Sequence, residues 1–196
     1  MKSVIIVNNS LDGYASGYAA WKKFGDQAEY YSRGPEMVTM PDIDKDTLVY
    51  ILDFIYPEEI MTEIVNKAAS VVVIRNNQID TLMERLGFIT KESNRLAGDE
   101  CSSCLASWKQ FHVKNKVPKP LLLVQDITLE LYSMRDSRDF LEGMIVEGYK
   151  DGYLQWDLIS QDDYFLNILI NKGRIINTYK ENVVDEFVKT HKPQYV

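Results

Sequence analysis

Three short apolar runs, each ending in a polar cluster, constrain this chain more than any other feature. Val4-Ile5-Ile6-Val7 stops at Asn8-Asn9-Ser10-Leu11-Asp12-Gly13. Leu48-Val49-Tyr50-Ile51-Leu52 stops at Asp53, and the run from Val71 to Ile74 stops at Arg75-Asn76-Asn77. Unbroken runs of this length suit strands buried on both faces, the condition of a parallel sheet. Tyr14 to Phe24 reads as a helix with Ala15, Tyr18, Ala19 and Trp21 available for packing and Gly25 placed to end it. Ala28 to Tyr31 reads as another strand. Pro57-Glu58-Glu59 opens a further helix, with proline early and acids in its first turn. The order β-α-β-β-α-β predicts an α/β fold with a mostly parallel sheet flanked by helices. Ligands of such sheets bind beyond the carboxyl ends of the strands. Asn8 to Asp12, Asp53 and Arg75 to Asn77 are therefore expected to converge on one edge.

The second half reads as a helical C-terminal part. Ser102 to His112 is one helix, and Pro120 to Val124 a short strand or a helix start. Arg138 to Val146 is amphipathic, and Asp162 to Lys172 and Arg174 to Lys189 complete the chain before a frayed tail from His191. The expected division is an α/β domain over residues 1–145 and a helical extension over 146–196 packed on the same domain.

Composition narrows the function classes. The 196 residues suffice to bury a core without disulfides or a structural metal. Lys plus Arg is 22 and Asp plus Glu is 29, a net charge of −7 that argues against a broad DNA-coating surface. No apolar run is long enough to span a bilayer, so no membrane association is expected. The start lacks the pattern of a signal peptide, so a cytoplasmic location is expected. Cys101 and Cys104 form a lone C-x-x-C, and without a second pair they read as small residues in the first turns of a helix rather than a zinc site. The two histidines, His112 and His191, lie outside the strand-end clusters, and His112 reads as a helix-end residue.

The polar clusters resemble, in order, the motifs of the DHH phosphoesterases, most closely the branch with oligoribonuclease (nanoRNase)-like members. Asn8-Asn9-Ser10-Leu11-Asp12-Gly13 is similar to the first motif, H-N-D-L-D-G, and Tyr50-Ile51-Leu52-Asp53-Phe54 to the second. Arg75-Asn76-Asn77 sits where the family places its D-H-H signature. Cys101-Ser102-Ser103-Cys104 resembles the start of the helix after it, and Val124-Gln125-Asp126 the next acidic motif. The resemblance spans roughly residues 1–190 and implies the family's N-terminal α/β domain. The smaller C-terminal domain that grips substrate is expected to be missing.

The chemistry implied is phosphodiester hydrolysis by two Mn²⁺ ions, which bind the attacking hydroxide and polarise the phosphoryl oxygens. Three acids of the pattern remain as residual catalytic or metal-binding candidates: Asp12, Asp53 and Asp126. Five positions differ: Asn8 replaces a histidine, Ser10 an aspartate, and Arg75, Asn76 and Asn77 the signature itself. A neutral amide is a poor substitute for imidazole toward a transition metal, and a guanidinium repels a cation. No metal or other cofactor is therefore expected, with Arg75 taking the metal's place by pairing with Asp12 or Asp53.

The resulting expectation is an inactive phosphoesterase-like protein. It binds a nucleotide, short oligonucleotide or cyclic nucleotide, or a protein partner, through Asn8, Asn9, Ser10, Asp12, Gly13, Asp53, Arg75, Asn76 and Asn77. Backbone amides at the helix start after Gly13 are the expected phosphate donors. Two alternatives stand. One is an active phosphodiesterase or exonuclease on short RNA or small nucleotides, with Mn²⁺ or Mg²⁺ on Asp12, Asp53 and Asp126. The other is a scaffold or interaction protein that keeps only the fold. A small degenerate copy of this kind suits a mobile-element or phage accessory protein.

Overall fold

A computed structural model describes residues 2–33, 40–75, 101–150 and 152–190. The apolar runs form the strands β1 (Lys2–Asn8), β2 (Glu29–Arg33), β3 (Thr47–Leu52) and β4 (Ser70–Ile74), all parallel and in the order β2-β1-β3-β4. Alternation along each strand sends its side chains to two faces. Val4, Ile6, Val49, Ile51, Val71 and Val73 pack on one side against Met61 and Ile64 of α2 (Glu58–Lys67). Ile5, Val7, Leu52 and Ile74 face the other way. There they meet Ala20 of α1 (Leu11–Phe24) and Leu105 and Ala106 of α3 (Ser103–Phe111). The sheet is thus covered on both faces, as its unbroken apolar runs require.

Helix α1 begins three residues before the expected Tyr14, because Ser10 accepts a hydrogen bond from the Gly13 amide and so caps the helix at Leu11. Gly25 ends it, with its amide on the Trp21 carbonyl. The segment at Pro120 is a helix, α4 (Lys119–Thr128), with proline near its start, where the missing N–H costs nothing. Helix α5 (Ser137–Glu147) follows. The expected division at 145 falls inside its last turn. A further helix, α6 (Tyr153–Gln161), lies where none was expected; it buries Trp156 and Ile159.

The two C-terminal segments form one 28-residue helix, α7 (Asp163–Thr190), running unbroken through Gly173. Gly173 marks a close approach instead of a break. A Cβ there would lie 1.7 Å from the Asp139 carbonyl oxygen of α5, and one on Gly143 would lie 2.3 Å from the Leu169 carbonyl oxygen. The two glycines let α5 and α7 cross nearly backbone to backbone. Arg174 and Asn177 then reach Asp139, and Lys180 reaches Glu142. Helices α6 and α7 share one buried cluster with α1, α3, α4 and α5, built around Tyr18, Trp108, Leu121, Phe140, Trp156 and Leu169. The Tyr18 ring stacks with those of Trp108 and Trp156 at centroid distances of 6.2 Å. Among the described residues no helix is long and apolar enough to cross a membrane.

Alanine is about 1 kcal/mol better than glycine in a helix, whereas forcing an atom into a filled contact costs about 1–3 kcal/mol or more. At 1.7 Å from a helical carbonyl the second effect wins. Gly173→Ala is expected to lose about 2 kcal/mol in urea unfolding. An unchanged or higher urea midpoint would contradict the glycine-mediated crossing.

Candidate functional site

The carboxyl ends of β1 and β3 bring Asn8, Ser10, Asp12 and Asp53 to one edge, as the strand order predicts. Asp53 follows β3 with a positive φ of 72°, a conformation tolerated by aspartate but uncommon outside glycine. Its amide donates to the Ile74 carbonyl at 2.8 Å, extending the ladder to β4. Its Oδ2 accepts from Asn8 Nδ2 at 3.1 Å and from Ser10 Oγ at 2.6 Å. Its Oδ1 accepts from Ser103 Oγ at 2.7 Å.

Asp12 is buried, and its two oxygens face the start of α3. Oδ2 accepts from the Ser103 amide at 2.9 Å and Oδ1 from the Cys104 amide at 2.8 Å. An aspartate from the first turn of α1 therefore satisfies orphan amides of a helix some 90 residues later in the chain, where the positive end of the helix dipole favours negative charge. Ser102 caps the same helix, accepting from the Leu105 amide. Ser103 joins the two carboxylates, its amide held by Asp12 and its hydroxyl by Asp53.

Burial pushes the Asp12 carboxyl up, and the neighbouring Asp53 charge pushes it the same way. The Cys104 and Ser103 amides pull down, and the balance lies at about 7. Burial also raises both thiols, that of Cys104 well above the usual range, so neither is an activated nucleophile. Both cysteines are free and buried; Cys104 lies in the first turn of α3, as expected, whereas Cys101 precedes its cap residue Ser102.

The other expected site residues divide. Gly13 packs against β1, where a Cβ would lie 2.2 Å from the Asn8 carbonyl oxygen. Its amide donates to Ser10 Oγ at 2.9 Å, and the Tyr14 amide, one of the expected phosphate donors after Gly13, donates to the Ser10 carbonyl oxygen at 3.0 Å. Asn9 is exposed and takes no part in the network. Arg75 directly follows β4, but among the described residues neither Asp12 nor Asp53 forms an ion pair with it. The expected pairing of Arg75 with Asp12 or Asp53 is thus not found there; helix amides, hydroxyls and an asparagine amide engage these carboxylates. Asn76 and Asn77 lie outside the described residues.

Asp126 stands apart from the cluster. It sits in α4, and its carboxylate accepts from the amide and hydroxyl of Ser133, the Met134 amide and the Ser137 hydroxyl. Burial pushes its carboxyl up, but these hydrogen bonds outweigh that and hold it at about 2. It ties the 129–136 loop to the start of α5. His112 is the cap residue at the end of α3, its Nε2 2.9 Å from the Ala19 carbonyl oxygen, and it too lies away from the strand ends. Sequence reasoning overlooked Ser102 and Ser103 as site residues. Their signal was a pair of serines ahead of an apolar helix, where serine favours capping.

Hydrolysis by the implied Mn²⁺ pair requires several carboxylate or imidazole ligands that converge on the cations. Here Asp12 gives each oxygen to a helix amide, and Asp53 takes three donors. A cation on Asp12 would also face the positive end of α3. Asn8 and Ser10 supply neutral donors to Asp53 where the family pattern has metal ligands. Among the described residues, those at the strand ends do not fit the metal pair.

No protein-family model matches the chain, and no curated protein sequence matches it. Among solved structures, the crystal structure of an uncharacterized protein from Helicobacter pylori G27 is similar, with a TM-score of 0.51 and 11% identity over 89% of this chain. The chain spans 56% of that protein's length. Similarity at this identity shows a shared fold and nothing of function.

The native state holds the Asp12 proton more tightly than an unfolded chain would. The Asp12 contribution to stability is therefore full below 3.8 and is lost as pH rises toward about 7. Asp53→Asn removes the adjacent charge. Urea stability measured across that window is expected to fall less steeply in the variant than in the wild type. An equal slope would show that Asp53 does not act on Asp12.

Proposed function

We propose that this chain is a DHH-phosphoesterase-like protein that binds without hydrolysing. The reading rests on the ordered motif resemblance and on one structural observation: the carboxylates left at the strand ends are engaged by donors of the chain itself. Asp12 holds the start of α3 and Asp53 holds Asn8, Ser10 and Ser103. Such a site has exchanged metal coordination for hydrogen bonds that fasten α1, β1, β3 and α3 together.

The binding role takes one of two forms. A nucleotide, short oligonucleotide or cyclic nucleotide would use the edge beside Asn9 and Arg75, since the Gly13 amide is committed to Ser10. A protein partner would use the helical side, where large apolar side chains of α6 and α7 are exposed. The second form draws more support, because large apolar side chains stand exposed on the helical side while the Gly13 and Tyr14 amides at the start of α1 are engaged within the helix start itself.

The experiment is incubation of the purified protein with Mn²⁺ or Mg²⁺ and short RNA, cyclic dinucleotides or 3′,5′-bisphosphorylated adenosine. No turnover above that of Asp53→Ala is expected. Turnover that disappears in Asp53→Ala would overturn the proposal and restore the metal-dependent enzyme. A thermal shift with any of these nucleotides, abolished in Arg75→Ala, would select the nucleotide form, and no shift would select the protein form.

A further inference from the structure

The inner stripe of α7 is fully used: Leu166, Leu169, Ile170 and Gly173 are buried against the helical core. The helix then leaves the body. The Lys180–Glu142 pair is the last ion pair from α7 to the body among the described residues, and from Thr178 to Thr190 every residue is exposed. At 1.5 Å per residue this arm is about 20 Å long. An arm of this kind is normally polar, yet this one carries apolar residues at a strict four-residue interval. Ile175, Tyr179, Val183 and Phe187 are 71%, 69%, 47% and 61% exposed, and Val184 and Val188 begin a parallel row beside them. Residues four apart form a continuous ridge on a helix surface, and two such ridges interlock when helices cross at about −50°.

We propose that this ridge is the self-association face of the protein and that its occupant is the same ridge of a second copy, in a two-fold dimer. The row is suited to pairing with itself. A two-fold axis at position 181 sets Ile175 opposite the partner copy's Phe187 and Tyr179 opposite the partner copy's Val183. Each pair then matches a larger side chain with a smaller one, as a closed isologous contact requires. The area agrees. At their exposures, the two aromatic and four aliphatic side chains offer roughly 500 Å² per copy, and two copies reach the ~1,000 Å² at which specific association begins. The arm is unsuited to an anionic membrane surface. Glu181, Asp185 and Glu186 outnumber Lys180 and Lys189 along it, whereas surface-seeking helices carry a basic polar face. The inference rests on the protein-partner form of the proposed role, whose helical side includes this ridge; its test reads mass where that of the proposed role reads turnover and nucleotide binding, so the two fail distinguishably.

Sedimentation or light-scattering mass, read from low to high micromolar concentration, tests it. The wild type is expected to move from 22.7 kDa toward twice that mass. Val183→Glu/Phe187→Glu is expected to weaken the association at least tenfold. Val113→Glu, at an equally exposed apolar residue just beyond α3 and off the ridge, is expected to change nothing. Both variants alter exposed side chains, and far-UV circular dichroism checks that their helices persist. Should the ridge variant lose helix, Tyr179→Cys/Val183→Cys supplies the second arm, and disulfide-linked dimers on mild oxidation are expected. A wild type that stays monomeric throughout would overturn the proposal and leave the ridge to a different partner. A dimer that the ridge variant leaves intact, or cysteines that fail to link the copies, would overturn it equally.

Discussion

The fold turns on how Ser103 is held. Its backbone N–H points to Asp12 and its hydroxyl to Asp53, so one residue joins a carboxylate from the first turn of α1 to one at the end of β3. Two acids at the end of a parallel sheet repel each other and need compensation. Among the described residues no ion pair provides it. The positive end of α3, capped by Asp12 and by Ser102, takes that place. Docking α3 in this way also presses Leu105 and Ala106 onto the sheet. The site and the core are therefore stabilised by the same contacts.

Much of this arrangement follows from residue order alone. Strands buried on both faces declared themselves as unbroken apolar runs, and parallel pairing set their polar ends on one edge. Local chemistry was harder to place. Asp12, expected at a ligand or metal site, lies in the first turn of α1, yet its carboxylate caps a helix far along the chain while Ser10 caps its own. Nothing in a linear sequence records which helix start will lie opposite a given carboxylate. Arg75 misled for the same reason: its charge suggested a partner among nearby acids, but uncharged amides and hydroxyls had already satisfied them. Gly173 read as a helix boundary because glycine disfavours helix, whereas the crossing with α5 demands a residue without a Cβ. Asp126 resembled a site acid by its place in the motif order, while the serines that claim it lie only 7 and 11 residues away.

The same logic links the site to its proposed role. A metal-dependent phosphoesterase keeps its carboxylates under-satisfied until ions arrive. Here both carboxylates accept hydrogen bonds from the chain, which ties α1, β1, β3 and α3 together. Under the proposed reading, such a protein acts through what it presents on its surface. The helical side, with α7 reaching beyond the body, is where this chain presents most exposed apolar area.

Mn²⁺ titration of the ¹⁵N-labelled protein, followed by paramagnetic broadening of individual amide signals, is the most direct test of the central claim. If Asp12 and Asp53 are committed to internal donors, the Ser103, Cys104 and Gly13 signals persist while amides near exposed carboxylates such as Glu181 and Asp185 broaden first. Selective loss of the Ser103, Cys104 and Gly13 signals at the lowest Mn²⁺ additions would contradict the account, because it would place the metal between the two aspartates.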